Sequence, residues 1–212
     1  MANLLYIEAS PLKDGSHSIA AARDFLSAYR ERHPDHIIDT IDVWDIDLPQ
    51  FDATMIGAKF AVLRKQNATA EQAELWERAV AISRRFNAAD TYLFSLPMWN
   101  FGIPYRLKHF IDVVTLPGQN WSWSRDEGYR PLLKDKRAVL VYSSASEHTD
   151  DTDFQKPYMR QWLRFVGIDV VDEIVVAPTL SSPEALAALK REAGMKAGAA
   201  ETVEALCSSP MA

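Results

Sequence analysis

The chain alternates between short apolar runs and longer segments in which apolar residues recur every three or four positions. The first pattern predicts buried strands, and the second predicts helices with one face against a core. Residues 44–63 and 116–131 follow neither pattern and are predicted to be irregular. The predicted strands are residues 4–7, 91–96, 138–142 and 169–176, together with residues 37–43, whose alternation of apolar and acidic residues suits a strand with one face in water. The predicted helices are residues 18–32, 104–114, 154–165 and 183–206, with a further helix after Thr69.

Helix-start signals and the order of the elements indicate the fold class. Ser16 stands where a serine hydroxyl caps a helix, and Thr69 with Gln72 forms a capping-box pattern. Strands that alternate with helices predict an α/β fold, here a five-stranded parallel sheet with helices on both faces. Such sheets bind ligands in the crevice beyond the carboxyl ends of their strands. The loops that start after residues 8, 43, 96 and 142 are therefore the candidates for chemistry.

Composition narrows the class of protein. The 212 residues, of which 48% are apolar and 25% charged, predict one globular domain over residues 1–212. The formal net charge of -6 argues against a nucleic-acid partner, which needs a basic face. No stretch approaches the roughly 18 apolar residues of a membrane helix, so we expect no membrane partner.

Cysteine and histidine usage bears on compartment and metals. The lone cysteine, Cys207, has no intramolecular disulfide partner, which suits a reducing compartment and indicates the cytoplasm. Its simplest role is that of a small residue near the C-terminus. The five histidines are scattered along the chain, so the sequence shows no metal-ligand cluster and predicts no bound metal.

The first candidate loop, residues 8–18, joins the first strand to the first helix. Backbone N–H groups and the positive end of the helix dipole favour an anion at such a helix start. Ser10, Ser16 and Ser18 add hydroxyl donors, with His17 among them. The loop has no nucleoside-triphosphate or dinucleotide fingerprint, and its hydroxyls suit the phosphate of flavin mononucleotide (FMN). Alternatively, these serines are ordinary helix caps and His17 is a solvated residue.

The second loop, residues 96–104, places large apolar side chains, an amide and a glycine after the third strand. Met98, Trp99, Asn100 and Phe101 can press on a flat ring while backbone N–H groups reach its polar edge. The alternative is that the apolar residues only cap the core. Two prolines bracket the loop and make it a rigid platform, which favours the binding role.

The third loop follows the fourth strand. His148, near its end, is a candidate proton donor near pH 7, or else an exposed loop histidine. Trp121 and Trp123 precede that strand and can stack on an aromatic substrate or lie in a subunit interface, where tryptophan is enriched. The loop supplies donors without a glycine, in the order Ser143, Ser144, Ala145 and Ser146.

Together these motifs resemble a known family. Ser10-Pro11 with Ser16 and Ser18, followed by the block at residues 97–104, is similar to the FMN-dependent NADH:quinone oxidoreductases known as azoreductases. The resemblance runs over roughly residues 3–180, and its most specific part is residues 98–104. Further matches are Leu107-Lys108, Ile111-Asp112 and Phe165-Val166-Gly167-Ile168.

The resemblance implies a flavodoxin-like fold and a homodimer with two FMN sites at the interface. It also implies ping-pong reduction of quinones and azo compounds, with NADH or NADPH as the electron donor. Trp121 and Trp123 then lie where the family shapes the pocket for a small aromatic acceptor. By motif position, the FMN phosphate is held by Ser10, Ser16, His17 and Ser18. The isoalloxazine ring is lined by Met98, Trp99, Asn100 and Phe101, and its pyrimidine side is contacted by Ser143, Ser144, Ala145 and Ser146.

The third loop departs from the family, whose members usually carry Ser-x-Gly-Gly there. Glycine allows a positive φ and a close approach of backbone to ligand, whereas Ala145 and Ser146 add β-carbons at the flavin edge. The loop therefore either takes another path or binds flavin more weakly. Residues 116–123 are also bulkier than the usual Pro-Gly-x-Thr-Phe, which leaves the choice of acceptor open.

Two other functions are compatible with the same residues. One is a flavin reductase that supplies reduced FMN to a partner monooxygenase. The other is a non-enzymatic flavodoxin-like module that has lost its flavin. A yellow purified protein excludes the empty module.

Overall fold

The computed structural model describes residues 3–207 and has a five-stranded sheet at its centre. All five strands are parallel, and they lie in the order second, first, third, fourth, fifth, which is the order of a flavodoxin-like sheet. The predicted fold class and the five predicted strands are therefore confirmed. In chain order these strands are β1 (Asn3–Glu8), β2 (Ile37–Asp42), β3 (Thr91–Pro97), β6 (Lys136–Ser143) and β7 (Ile168–Val176).

Helices surround the sheet, and the predicted helix starts are present. The Ser16 hydroxyl accepts a hydrogen bond from the Ile19 N–H, and Thr69 and Gln72 make both bonds of a capping box. The helices are α1 (His17–Arg32), α2 (Ala53–Arg64), α3 (Ala70–Asn87), α4 (Tyr105–Val114), α5 (Gln155–Val166), α6 (Pro183–Ala197) and α7 (Ala200–Cys207).

The core has two layers because successive side chains of a strand point to opposite faces. Leu5 and Ile7 of β1 lie in the layer that packs against α2, α3, α4 and α5. Leu4 and Tyr6 lie in the layer that packs against α1, α6 and α7. Burial of both faces explains why the three central strands β1, β3 and β6 read as apolar runs, whereas the edge strands β2 and β7 also carry acidic residues.

Three segments differ from the sequence-based expectation. Residues 44–63 contain most of α2, whose apolar side chains lie on its exposed side as well as its buried side and so blur the helical pattern. Residues 116–131 contain an antiparallel hairpin formed by β4 (Trp121–Ser124) and β5 (Gly128–Pro131). The expected helix at residues 183–206 is two helices, because α6 ends at Gly198.

The far C-terminal packing also corrects one expectation. In the layer of α1, α6 and α7, Cys207 lies beside His33 and His36, so these side chains are not scattered in space. Cys207 is distant in sequence from His33 and His36 and meets them because α7, near the C-terminus, packs against α1. Separately, no helix within residues 3–207 is long and apolar enough to cross a membrane.

Candidate functional site

Three loops meet at the carboxyl edge of the sheet. The chain leaves β1 towards α1 on one face and leaves β3 towards α4 on the other, which opens a crevice between them. The crevice has a volume of about 250 Å³. Its lining combines the first loop (Ser10, Ser16, His17), the second (Met98, Trp99), the third (Ser143, Ser144, Ala145) and Thr179.

The first loop contributes buried hydroxyl groups at the start of α1. Ser10, Ser16 and Ser18 are all buried. The Ser16 and Ser18 oxygens are 3.2 Å apart, and the Leu12 N–H donates to the Ser10 oxygen. The N–H groups of the first helical turn have no partners within their own helix. The loop therefore gathers donors at the positive end of a helix dipole, as an anion requires.

His17 carries an orphaned polar atom at this helix start. Its Nδ1 is buried and has no hydrogen-bond partner among residues 3–207. Burial, together with the nearby Lys190, lowers the pKa of His17, so the ring is neutral at pH 7. Buried polar atoms in native proteins are paired as a rule. A phosphate in the crevice provides the partner that Nδ1 lacks, so the first loop fits the phosphate of FMN.

The second loop contains a tight and strained turn. Trp99 and Gly102 exchange two backbone hydrogen bonds of 2.9 and 3.0 Å. Asn100 and Phe101, the central residues, have φ values of 48° and 69°. A bulky residue such as phenylalanine rarely adopts a positive φ, and strain of this kind clusters at ligand sites. The turn leaves the N–H groups of Asn100 and Phe101 outside its own bonds, available to a ligand edge.

The second loop is anchored to its neighbours. The Met98 N–H donates to the Ser143 carbonyl at 2.7 Å, which joins it to the third loop. The Gln155 amide donates to the Pro97 carbonyl at 2.7 Å, and the Phe154 N–H donates to the Phe101 carbonyl at 3.0 Å. These bonds hold the strained turn in place from the start of α5.

Trp99 belongs to an aromatic cluster that the sequence did not reveal. Its ring lies 5.6 Å from that of Trp44 and 6.4 Å from that of Tyr105. The Trp44 indole N–H donates to the Ala9 carbonyl at 3.1 Å, which ties the cluster to the first loop. The position of Trp44 directly after β2, at a strand's carboxyl end, is the signal that could have identified it.

The third loop follows a path that needs no glycine. No residue from 143 to 148 has a positive φ, so Ala145 and Ser146 are unstrained. The loop is held by the segment after β7, since the Thr179 N–H donates to the Ser144 carbonyl and the Leu180 N–H to the Ala145 carbonyl. This supports the first alternative for the missing glycines, another path. Thr179 was missed because the loop after β7 was not among the candidates.

His148 borders a second cleft, of about 430 Å³, that shares Met98 and Ser144 with the crevice. Its ring meets the Phe101 ring edge-on, with centroids 6.0 Å apart. The structure therefore brings His148 to the second loop, where a proton donor near the flavin edge is expected.

Trp121 and Trp123 lie elsewhere. Trp121 is 6% exposed and packs on Phe165, 5.7 Å away, near the C-terminal end of α5. Because α5 runs back from the carboxyl edge of the sheet, that end lies at the opposite edge. Trp123 is 59% exposed on the hairpin. Within a single chain, therefore, neither tryptophan lies at the crevice, because the hairpin packs against α5.

Comparisons with known proteins agree with this geometry. A family model described as having the flavodoxin-like fold matches residues 2–197. The FMN-dependent NADH:quinone oxidoreductase of Desulfotalea psychrophila is 40% identical over 201 residues, which are 91% of this chain and 95% of that protein. A second such enzyme, oxidoreductase 9 of Burkholderia lata, is 39% identical over 85% of this chain and 89% of its own length.

Solved structures give the same result. The structure of an FMN-dependent NADH-azoreductase from Bacillus anthracis in complex with FMN superposes with a TM-score of 0.77 and 27% identity. The superposition covers 93% of this chain and 98% of that one. A further Bacillus anthracis azoreductase has a TM-score of 0.84 at 22% identity, with coverage of 93% and 97%, and this likeness concerns the fold.

Proposed function

This chain belongs to the flavodoxin-like family that includes the FMN-dependent NADH:quinone oxidoreductases, and we propose its function from that membership and from the crevice. It is an FMN-dependent oxidoreductase that takes electrons from NADH and reduces quinones or azo compounds. The observation that carries the proposal is the convergence of three loops on one crevice with buried hydroxyls at a helix start.

The chain's own residues hold and polarise the cofactor. Bound FMN supplies hydride transfer between a nicotinamide and an aromatic acceptor. Ser10, Ser16 and the Nδ1 of His17, which line the crevice, would hold the phosphate at the start of α1, with the buried Ser18 hydroxyl 3.2 Å from that of Ser16. The side chains of Met98 and Trp99 and the turn at Asn100–Phe101 would line the isoalloxazine ring, and the N–H groups of that turn would stabilise negative charge at the edge of the ring.

The third loop and His148 complete the ring site. Ser143, Ser144 and Ala145 line the crevice and would contact the pyrimidine side of the flavin, and Ser144 also lines the second cleft. Ser146 lines neither cavity, and its carbonyl accepts a hydrogen bond from the Ser144 hydroxyl. His148 lies between that cleft and Phe101, where an imidazole can donate a proton to the reduced acceptor.

The visible spectrum of the purified protein tests the function. We expect the purified protein to be yellow and to keep its flavin during gel filtration. In the absence of oxygen, NADH should bleach the yellow colour, and a quinone should restore it. A colourless protein that takes up no added FMN contradicts the proposal and supports an empty module. Flavin that leaves the protein on reduction supports a flavin reductase instead.

The lowered pKa of His17 predicts a pH dependence of FMN binding. The ring is neutral without ligand, and a phosphate beside Nδ1 favours the imidazolium, so binding raises the pKa and takes up a proton. The affinity therefore rises as the pH falls, by roughly threefold to tenfold between about pH 8 and about pH 6.5. Fluorescence titration of the apoprotein with FMN measures this slope.

The matched variant for this prediction is His17→Asn. It keeps a polar side chain of similar reach and removes the titrating group, so its FMN affinity should be flat over the same pH range. A slope that persists in His17→Asn assigns the proton to another group and overturns the prediction.

We infer that the protein is a C2 homodimer joined through α2 and the hairpin. Ile56 and Phe60 of α2 are exposed, as are Trp123 and Tyr129 of the hairpin. Lys59 connects the two elements, since its ammonium lies 5.8 Å from the centre of the Trp121 ring. Exposed aromatic side chains that continue over two elements are typical of an interface.

Light scattering should give twice the 23.9 kDa mass of one chain. Phe60→Glu places a charge in the apolar face and should shift the mass towards that of the monomer. Met195→Glu, a change at an exposed apolar residue of α6, is the control and should leave the dimer intact. A wild-type protein that is monomeric at micromolar concentration contradicts the inference.

A further inference from the structure

Two histidines and the only cysteine meet at the end of the molecule that is remote from the crevice. His33 ends α1, His36 leads into β2, and Cys207 is the last residue of α7. One ligand atom from each side chain lies within 4.8 Å of the other two. All three side chains are half-buried. The loop between α1 and β2 and the end of α7 thus place borderline and soft metal ligands together.

His33 presents an unused nitrogen to this cluster. Its Nε2 is buried and has no hydrogen-bond partner among the described residues. The closest charged oxygen is Oε1 of Glu204, at 3.7 Å. Glu204 precedes Cys207 by three residues on α7, so both side chains lie on one face of the helix. Helix α7 therefore offers a carboxylate and a thiol towards the two imidazoles.

His36 is already oriented by a buried partner. Its Nδ1 lies 2.8 Å from the hydroxyl of Tyr29, which is fully buried. When Nδ1 donates to that hydroxyl, the lone pair of Nε2 is available to a metal, an arrangement common among metal-binding histidines.

The charges around the cluster favour a cation. The carboxylates of Asp35 and Asp90 face His36, and that of Glu204 faces His33 and Cys207. The opposing charge is Arg137, whose guanidinium is held by a 2.7 Å hydrogen bond to the Ala205 carbonyl. Cys207 has no disulfide partner, and its thiol shares the Tyr29 hydroxyl with His36, so zinc would replace the contact of the thiol with that hydroxyl.

We propose that His33, His36 and Cys207 form a Zn²⁺ site, with the Glu204 carboxylate as the fourth ligand. Tetrahedral zinc with bonds of about 2.0–2.3 Å places its ligands about 3.3–3.8 Å apart, so the cluster closes by roughly 1 Å on binding. The two imidazoles are now stacked, with centroids 4.7 Å apart, and must tilt to bring the metal into both ring planes. The Cys207 thiol loses its proton to solvent as the zinc–sulfur bond forms.

A bound zinc ion would cross-link segments that are far apart in the sequence. Zinc joins α7 to the loop between α1 and β2, on the side of the molecule away from the FMN crevice. A ligand that binds only the folded state raises the melting temperature. Zinc should therefore stabilise the protein and protect α7 from proteolysis, whether or not the crevice holds FMN.

Calorimetric titration with ZnCl2 tests the proposal, using tag-free, FMN-loaded protein whose cysteine is in the thiol form. We expect one zinc per chain and a rise in melting temperature that a chelator reverses. Cobalt in place of zinc should give the intense visible bands of a tetrahedral site, at longer wavelength than flavin absorption, and a thiolate-to-cobalt charge-transfer band. Octahedral cobalt, or no binding by either metal, overturns the proposal and leaves a hydrogen-bonded cluster around Tyr29.

Variants separate this site from adventitious binding. Cys207→Ser should weaken zinc binding by at least about 100-fold and abolish the charge-transfer band, and His33→Asn should weaken it similarly. Glu204→Gln should weaken it less, because water can take the fourth position. Glu201→Gln, which removes an exposed charge one turn earlier on α7, is the control and should bind zinc as the wild type does. Equal binding by the wild type and Cys207→Ser excludes the site.

Discussion

We expect the replacement of Ser16 and Ser18 together with alanine to weaken FMN binding by roughly 1–3 kcal/mol, or about fivefold to a hundredfold, if their hydroxyls bind the charged phosphate as proposed. Both serines are buried, and their oxygens are 3.2 Å apart at the start of α1. Water therefore does not replace the lost donors easily. Titration of the apoprotein with FMN, followed by quenching of flavin fluorescence, measures the affinity.

The control accounts for the capping role of Ser16. Its hydroxyl accepts from the Ile19 N–H, so its loss costs helix stability as well as a ligand contact, by about 1 kcal/mol. Ser182 caps α6 in the same way, accepting from the Ala185 N–H, and does not line the crevice. Ser182→Ala should lower the melting temperature and leave FMN affinity unchanged. If the double variant binds FMN as tightly as the wild type, Ser16 and Ser18 do not bind the phosphate.

The elements that could be predicted from the sequence are those whose local signals agree with their packing. The central strands β1, β3 and β6 are buried on both faces, so they read as apolar runs, and the edge strand β2 reads as an alternation of apolar and acidic residues. Capping residues placed the starts of α1 and α3. Helix α2 was missed because only one side of it packs on the core, while Ile56, Phe60 and Leu63 are exposed. Its apolar residues therefore follow no single face.

The candidate site could be predicted in outline for a topological reason. Parallel strands end at one edge, so the loops after β1, β3 and β6 had to approach each other. The positive φ of Asn100 and Phe101 could not be predicted, because neither residue type requires it. The cluster of His33, His36 and Cys207 could not be predicted either, because it depends on the packing of α7 against the loop between α1 and β2, which no local sequence signal specifies.

Gly167→Ala should cause a large loss of stability. Gly167 ends α5 in the left-handed region, with φ of 95°, where an L-residue costs roughly 1–2 kcal/mol. An added Cβ would also press into the Leu133 carbonyl and lie 3.0 Å from the Cβ of Pro131. Overpacking of this kind costs roughly 1–3 kcal/mol more. The backbone cost and the crowding together should lower the melting temperature by roughly 5–15 °C, which circular dichroism measures.

Gly118→Ala separates the two contributions, because Gly118 shares the strained backbone but not the crowding. Its φ is 76°, and nothing lies within 4 Å of an added Cβ. Gly118→Ala should therefore show only the backbone cost, about half of the loss in Gly167→Ala or less. The difference measures how closely the hairpin's exit at Leu133 is pressed against the end of α5, the helix whose Gln155 holds the second loop in place. Equal losses in the two variants would show that Leu133 moves aside at little cost, and the close contact at Gly167 would not be what fixes α5.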